Sequence, residues 1–106
     1  MTSRERLPHR RRQESFEFFH AALGFTLGVG RYHDGRVGEI FLSAHKVGSP
    51  IEALARDAAI VLSIALQHGA DLDVIRSALT SDSDGGPASL IGAAIDALLS
   101  QPESAP

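Results

Sequence analysis

Apolar and polar positions follow two different rhythms along this chain, and the change falls near residue 48. From about residue 14 to residue 45 the apolar side chains come at every second position. From residue 50 to about residue 100 they recur every three or four. A period of two puts alternate side chains on opposite faces of a strand, and a period of 3.6 lines one face of a helix. Strands first and helices afterwards leave no room for a parallel βαβ unit, so the expected fold class is α+β. The predicted architecture is a three-stranded antiparallel sheet in the amino-terminal half, packed on a bundle of about three helices in the carboxyl-terminal half.

The sheet half is organised around Asp34-Gly35, a pair suited to a two-residue type I′ turn, whose central residues both need positive φ. Folding there sets His33 against Arg36, Val29 against Ile40, Leu27 against Leu42 and Phe25 against Ala44. The last three pairs share one face, and a slip of one residue would divide them. On the other face Gly28 falls opposite Phe41 and Gly30 opposite Glu39. A strand glycine marks close approach by another group, so Phe41 lies over bare backbone there or the face binds a ligand. An earlier strand over residues 15–20, with Phe16 and Phe18 on one face and Phe19 on the other, would give the hairpin its third strand.

Ser49-Pro50-Ile51-Glu52 has the capping serine, the first-turn proline and the carboxylate of a helix start, and Gly69 suits the left-handed residue beyond its end. The helix between them has apolar residues almost all round: Ile51, Leu54, Ala58, Ile60, Val61, Leu62, Ile64, Ala65 and Leu66. That pattern predicts a central spine buried on several sides. Asp71 is expected to cap a short helix through Val74, Ile75, Ala78 and Leu79, residues 81–87 read as a loop, and residues 88–100 carry the last helical repeat.

Composition narrows the function classes. A chain of 106 residues with 43% apolar content suits one domain with a single modest core, without room for a large substrate cleft as well. The expected organisation is a basic flexible arm over residues 1–13, one domain over 14–100, and a disordered tail over 101–106. The sequence holds no cysteine, so thiolate zinc sites, iron–sulfur clusters and thiyl chemistry have no ligand or radical carrier in it. The arginines of the arm precede no apolar stretch, and the longest apolar run, residues 58–66, is far too short to span a bilayer. A cytoplasmic protein with no membrane partner is the expectation.

Candidate chemistry is sparse. The five histidines show none of the spacings of a metal site, and no nucleophile elbow, dinucleotide fingerprint or Walker loop occurs. No catalytic residue, metal or cofactor is expected. Glu39 is a charge within an apolar strand, within reach of Arg31, Arg36 or Lys46; it either pairs on the sheet surface or contacts a partner. Arg10, Arg11 and Arg12 close an arginine-rich arm that is either solvated or a phosphate-binding tail, with Glu5, Glu14 and Glu17 to neutralise part of it. The candidate contacts for a partner or ligand are therefore Arg10, Arg11, Arg12, Gly28, Gly30, Arg31, Glu39, Phe41 and Lys46.

Several of these residues lie in a longer pattern. Gly30-Arg31-Tyr32-His33-Asp34-Gly35-Arg36, then Glu39-Ile40-Phe41, Lys46-Val47-Gly48-Ser49, and Asp57-Ala58-Ala59 through Ser63, Ala65-Leu66-Gln67 and Gly69 resemble the TSCPD domain. Leu7-Pro8 and the nearby arginines resemble the segment leading into it, so the likeness runs from about residue 7 to residue 99. That domain occurs toward the carboxyl end of adenosylcobalamin-dependent ribonucleotide reductases and as small separate proteins. The resemblance implies a link to deoxyribonucleotide synthesis and to a ribonucleotide reductase subunit as partner. It supplies no catalytic residue or cobalamin ligand, and the Thr-Ser-Cys-Pro-Asp peptide that names the family is absent, with Thr80-Ser81-Asp82 only an echo. The expected function is a non-catalytic accessory or regulatory module rather than a reductase by itself. The alternatives are a nucleotide- or nucleic-acid-binding module using the arginine arm, and a self-associating domain that buries the open sheet face in a homo-oligomer.

Overall fold

A computed structural model describes residues 3–46 and 48–101. Three strands, β1 (Gln13–His20), β2 (Leu23–Arg31) and β3 (Val37–Ala44), form an antiparallel sheet in the order β1-β2-β3, and three helices follow: α1 (Pro50–Gln67), α2 (Leu72–Ala78) and α3 (Leu90–Leu99). The fold is α+β, as the two rhythms require. Phe25 pairs with Ala44, Leu27 with Leu42 and Val29 with Ile40, the register set by the alternation. These side chains and Phe18, whose ring stacks on Phe25 at 5.4 Å, make the sheet's half of the core. Ala55, Ala59, Leu62 and Leu66 of α1 and Ala94, Ile95 and Leu98 of α3 make the other half.

The turn between β2 and β3 is not type I′. Gly35 N donates to Tyr32 O at 2.9 Å, Tyr32 N donates to Arg36 O at 2.9 Å, and the register slips by one residue beyond Gly30. Gly35 has φ +94°, whereas Asp34 does not have positive φ. This is a three-residue loop, His33-Asp34-Gly35, closed by a glycine bulge, so Tyr32 rather than His33 stands against Arg36. The physical reason is that a type I′ turn would also force Asp34 into the left-handed region, at a cost of about 1–2 kcal/mol. In the observed turn only glycine goes there, and the Asp34 carboxylate accepts from Arg36 N at 3.1 Å. A two-residue connection with positive φ at both positions instead joins β1 to β2, at Ala21 (φ 50°) and Ala22 (φ 64°).

Helix α1 starts and stops where its caps predict. Ser49 Oγ accepts from Glu52 N, and Gly69 takes φ +96° just past the end. Its expected burial on several sides is not observed. Leu54, Ile60, Val61 and Ile64 are 62%, 50%, 68% and 41% exposed. The cause is placement: α1 packs along β3 at one side of the sheet while α3 lies toward β1, so the later helices do not cross its outer face. Asp71 Oδ1 caps α2 by accepting from Asp73 N at 2.8 Å, and Arg76 grips Asp96 of α3 with two hydrogen bonds of 2.5 and 3.1 Å. Residues 81–87 form a loop closed by a bridge between Ser81 and Pro87, with the Asp82 carboxylate accepting from Asp84 N and Gly86 N.

Candidate functional site

The free edge of β3 is where helix, sheet and amino-terminal segment meet. Ile40 turns its N–H and C=O away from β2, and Ser63 of α1 meets them. Ser63 Oγ accepts from Ile40 N at 2.8 Å, and its own proton is shared between Ala59 O at 2.8 Å and Ile40 O at 3.1 Å. One turn further along α1, Gln67 Nε2 donates to Gly38 O at 2.8 Å. Residues i and i+4 lie on one helix face, so a serine and a glutamine replace the strand that would otherwise pair with this edge. Gln67 is the one buried polar side chain among the described residues. Its amide oxygen accepts from Arg4 Nε, and its backbone carbonyl accepts from Glu5 N at 2.7 Å.

The segment before β1, residues 3–12, thus has no helix or strand but many anchors. Tyr32 Oη donates to Glu5 O at 2.6 Å, and burial, with the Glu5 carboxylate near by, holds its phenol above the ordinary pKa. The Glu5 carboxylate receives both terminal nitrogens of Arg36, at 3.0 and 2.9 Å, and the Arg36 guanidinium lies over the Tyr32 ring at 4.6 Å. Arg11 Nε donates to Glu39 Oε1 at 2.6 Å, with both side chains largely shielded. Hydrogen bonding from Arg31 Nε at 2.6 Å, the largest influence on Glu14, lowers the pKa of that carboxyl, and Arg12 adds to the effect.

Of the residues singled out in the sequence, Arg11, Glu39, Phe41 and Gly30 come together here, with Gly28 beneath Phe41. A Cβ at Gly30 would strike the Glu39 carboxylate, and one at Gly28 would touch the Phe41 ring at 3.4 Å. The bare backbone of β2 is therefore what lets both side chains lie flat across the sheet. Glu39 pairs with none of Arg31, Arg36 and Lys46; those two arginines serve Glu14, Glu5 and Asp34, and the arm supplies Arg11 instead. Arg12 stands with Arg31 on Glu14, and Arg10 O accepts from His33 Nε2 at 3.0 Å. Lys46 lies apart, beside a hollow near the start of α1. Ser63, Gln67, Arg4, Glu5 and Tyr32 were not among the candidate contacts, although Tyr32, Ser63 and Gln67 lie in the TSCPD-like pattern and Glu5 was read as neutralising the arm. A further signal for two of them was Ser63 and Gln67 breaking the otherwise apolar second half of α1 at i, i+4 spacing.

Two adjoining depressions result. One, of about 600 Å³, is walled by Arg4, Arg6, His9 and Arg11 against Glu39 and Gln67. The other, of about 350 Å³, runs between β3 and α1 past Phe41, Arg56, Ile60 and Ile64, and shares Arg4, Glu39 and Gln67 with the first. Arg11 is matched by Glu39, but Arg4 meets only a neutral amide, so the shared wall keeps a surplus of positive charge. The groove can take up an anionic group beside an aromatic or aliphatic one. Among the described residues no cluster of three histidine or carboxylate side chains could hold a metal ion, and no helix is long and apolar enough to cross a membrane.

The fold and groove define a small α+β module with a strapped amino-terminal segment. Its relatives are parts of much larger enzymes. The chain is 36% identical over 80 residues to a vitamin B12-dependent ribonucleotide reductase of Bradyrhizobium diazoefficiens, and 36% over 77 residues to that of Agrobacterium fabrum. To the same enzyme of Rhodopirellula baltica it is 43% identical over 72 residues. The matches cover 76%, 73% and 68% of this chain but only 6–7% of the length of each reductase. The chain is thus related to one small region of these reductases. No family model matches it, and no solved structure does.

Proposed function

We propose that this protein is a non-catalytic accessory or regulatory module of the TSCPD kind, tied to deoxyribonucleotide synthesis through association with a ribonucleotide reductase. The observation that carries this reading is the 36–43% identity to a short segment of vitamin B12-dependent reductases over at least two thirds of the chain. The sequence contributes no thiol for radical or dithiol chemistry, and its polar side chains serve to hold the arm and the sheet edge together. The test is a binding measurement between the purified chain and its host's reductase at low and moderate salt, with nucleotide reduction assayed in parallel. Retention at both salts, with a change in reductase rate, is the expected result. No retention and no change in rate would overturn the reading.

A second reading rests on the surplus of positive charge in the groove: capture of a phosphate-bearing ligand, a nucleotide or a nucleic-acid strand, by Arg4, Arg6 and Arg11 beside Phe41. Guanidinium clusters bind phosphates through paired N–H donors, and such binding weakens steeply with salt. Fluorescence polarisation with a labelled nucleotide should show salt-sensitive binding that falls at least tenfold in the Arg4→Ala/Arg6→Ala double variant. Binding indifferent to those changes would count against it.

A further inference from the structure

Helix α1 turns its outer face to solvent with four large aliphatic side chains on it: Leu54, Ile60, Val61 and Ile64. Leu54, Asp57, Val61, Ile64 and His68 follow one another at steps of three, four, three and four residues, the spacing of a seam that packs against a second helix. The exposed parts of the four aliphatics amount to roughly 400 Å², within the range of the largest apolar patch on a typical protein, a size that is often functional. A standard protein interface uses about 800 Å² per partner, a little over half of it apolar, so the patch is the right size for the apolar part of one.

The charges on this seam indicate the occupant. Asp57 and His68 flank Val61 and Ile64, three turns apart, one acidic and one basic when protonated. Asp57 has no ion-pair partner among the described residues. His68 Nδ1 donates to Ile64 O at 2.9 Å, which leaves Nε2 without a partner among those residues. A parallel copy of the helix would set Asp57 against Asp57. An antiparallel copy, turned about an axis between Val61 and Ile64, sets each Asp57 against the partner's His68 and each Val61 against the partner's Ile64. A surface complementary to itself under a two-fold rotation is what a homodimer requires.

We propose that the outer face of α1 is a homodimer interface, in which two copies pair antiparallel through Val61 and Ile64, with Leu54 and Ile60 at the rim, and close both ends with Asp57–His68 contacts. The inference does not depend on the link to a reductase, because it uses only the helix and its own copy.

The test is sedimentation equilibrium of the full chain from about 10 µM to about 1 mM at roughly pH 6. A concentration-dependent dimer mass is expected. Val61→Glu should raise the dissociation constant at least tenfold, with an unchanged melting temperature at dilutions where both proteins are monomeric, since the side chain is exposed; Ile64→Glu repeats the test at the residue that Val61 faces. Asp57→Lys and His68→Glu should each weaken the dimer several-fold, and together should restore it to within about threefold of the parent, because the contact is then only reversed. A monomer at every concentration would overturn the proposal and leave the face to a different partner, a reductase among them. A dimer indifferent to both apolar substitutions, or a charge reversal that fails to restore it, would overturn it equally.

Discussion

Replacing Ser63 by alanine removes one oxygen and tests how the sheet edge is protected. In the folded protein that oxygen accepts from Ile40 N at 2.8 Å and shares its proton between Ile40 O and Ala59 O. The Ala59 carbonyl already has its place in the helix and loses little. The Ile40 N–H and C=O, sheltered under α1, lose the partner that stands in for a fourth strand, and stranding such groups costs about 1–3 kcal/mol. Alanine returns roughly 0.5 kcal/mol as the better helix former. The expected net loss is about 1–2 kcal/mol, read as a shift of the urea midpoint at constant slope, with a melting temperature lower by roughly 5–10 °C. Amide exchange supplies the local readout: Ile40 should lose protection ahead of its neighbours in β3. Ser77→Ala is the control, because Ser77 Oγ only donates to Val74 O within its own exposed helix. A loss below about 0.5 kcal/mol with Ile40 protection unchanged would refute the reasoning, for it would mean that water satisfies the edge once the serine is gone.

Four further outcomes follow from the same geometry. Leu62, buried between sheet and helix at 5% exposure, should cost about 2–5 kcal/mol when cut to alanine in chemical denaturation; a loss under about 1 kcal/mol would deny it a place in the core. Gly38→Ala would put a Cβ 2.6 Å from the Tyr32 ring and 2.7 Å from Leu7, so a loss of about 1–3 kcal/mol and faster tryptic cleavage in the arm are expected, and an unchanged digestion pattern would contradict the packing. Asn-Gly in place of Ala21-Ala22 should raise stability by about 1–2 kcal/mol in urea, since both alanines hold a positive φ that asparagine and glycine accept more readily. Glu14 has a folded pKa below its ordinary 4.5, so its pairing adds stability above that value and loses it as the pH falls through the lower folded one. Glu14→Gln should therefore flatten the loss of stability below pH 4.5, and an unaltered acid limb would remove Arg31–Glu14 from the account.

What the sequence determined by itself was what depends on neighbours along the chain. Alternation decided the pairing of Phe25 with Ala44, Leu27 with Leu42 and Val29 with Ile40, because a one-residue slip would expose the whole core face. Ser49, Asp71 and Gly69 marked helix ends because a cap acts within one turn. The link to a reductase segment was legible in residue identities for the same reason. Contacts between distant residues were not. Asp34-Gly35 satisfies two turn types locally, and the bulge was chosen where Tyr32 meets Arg36 and Asp34 need not enter the left-handed region. The apolar circumference of α1 looked like that of a buried spine, but whether other helices would cover it depended on where α3 came to rest. Glu39 had three basic residues near it in sequence and took a fourth, Arg11, because Gly30 opens the path across β2 and Gln67 and Tyr32 hold the arm in place. Each of these turns on a partner distant in the chain, whose distance and burial only the folded core sets.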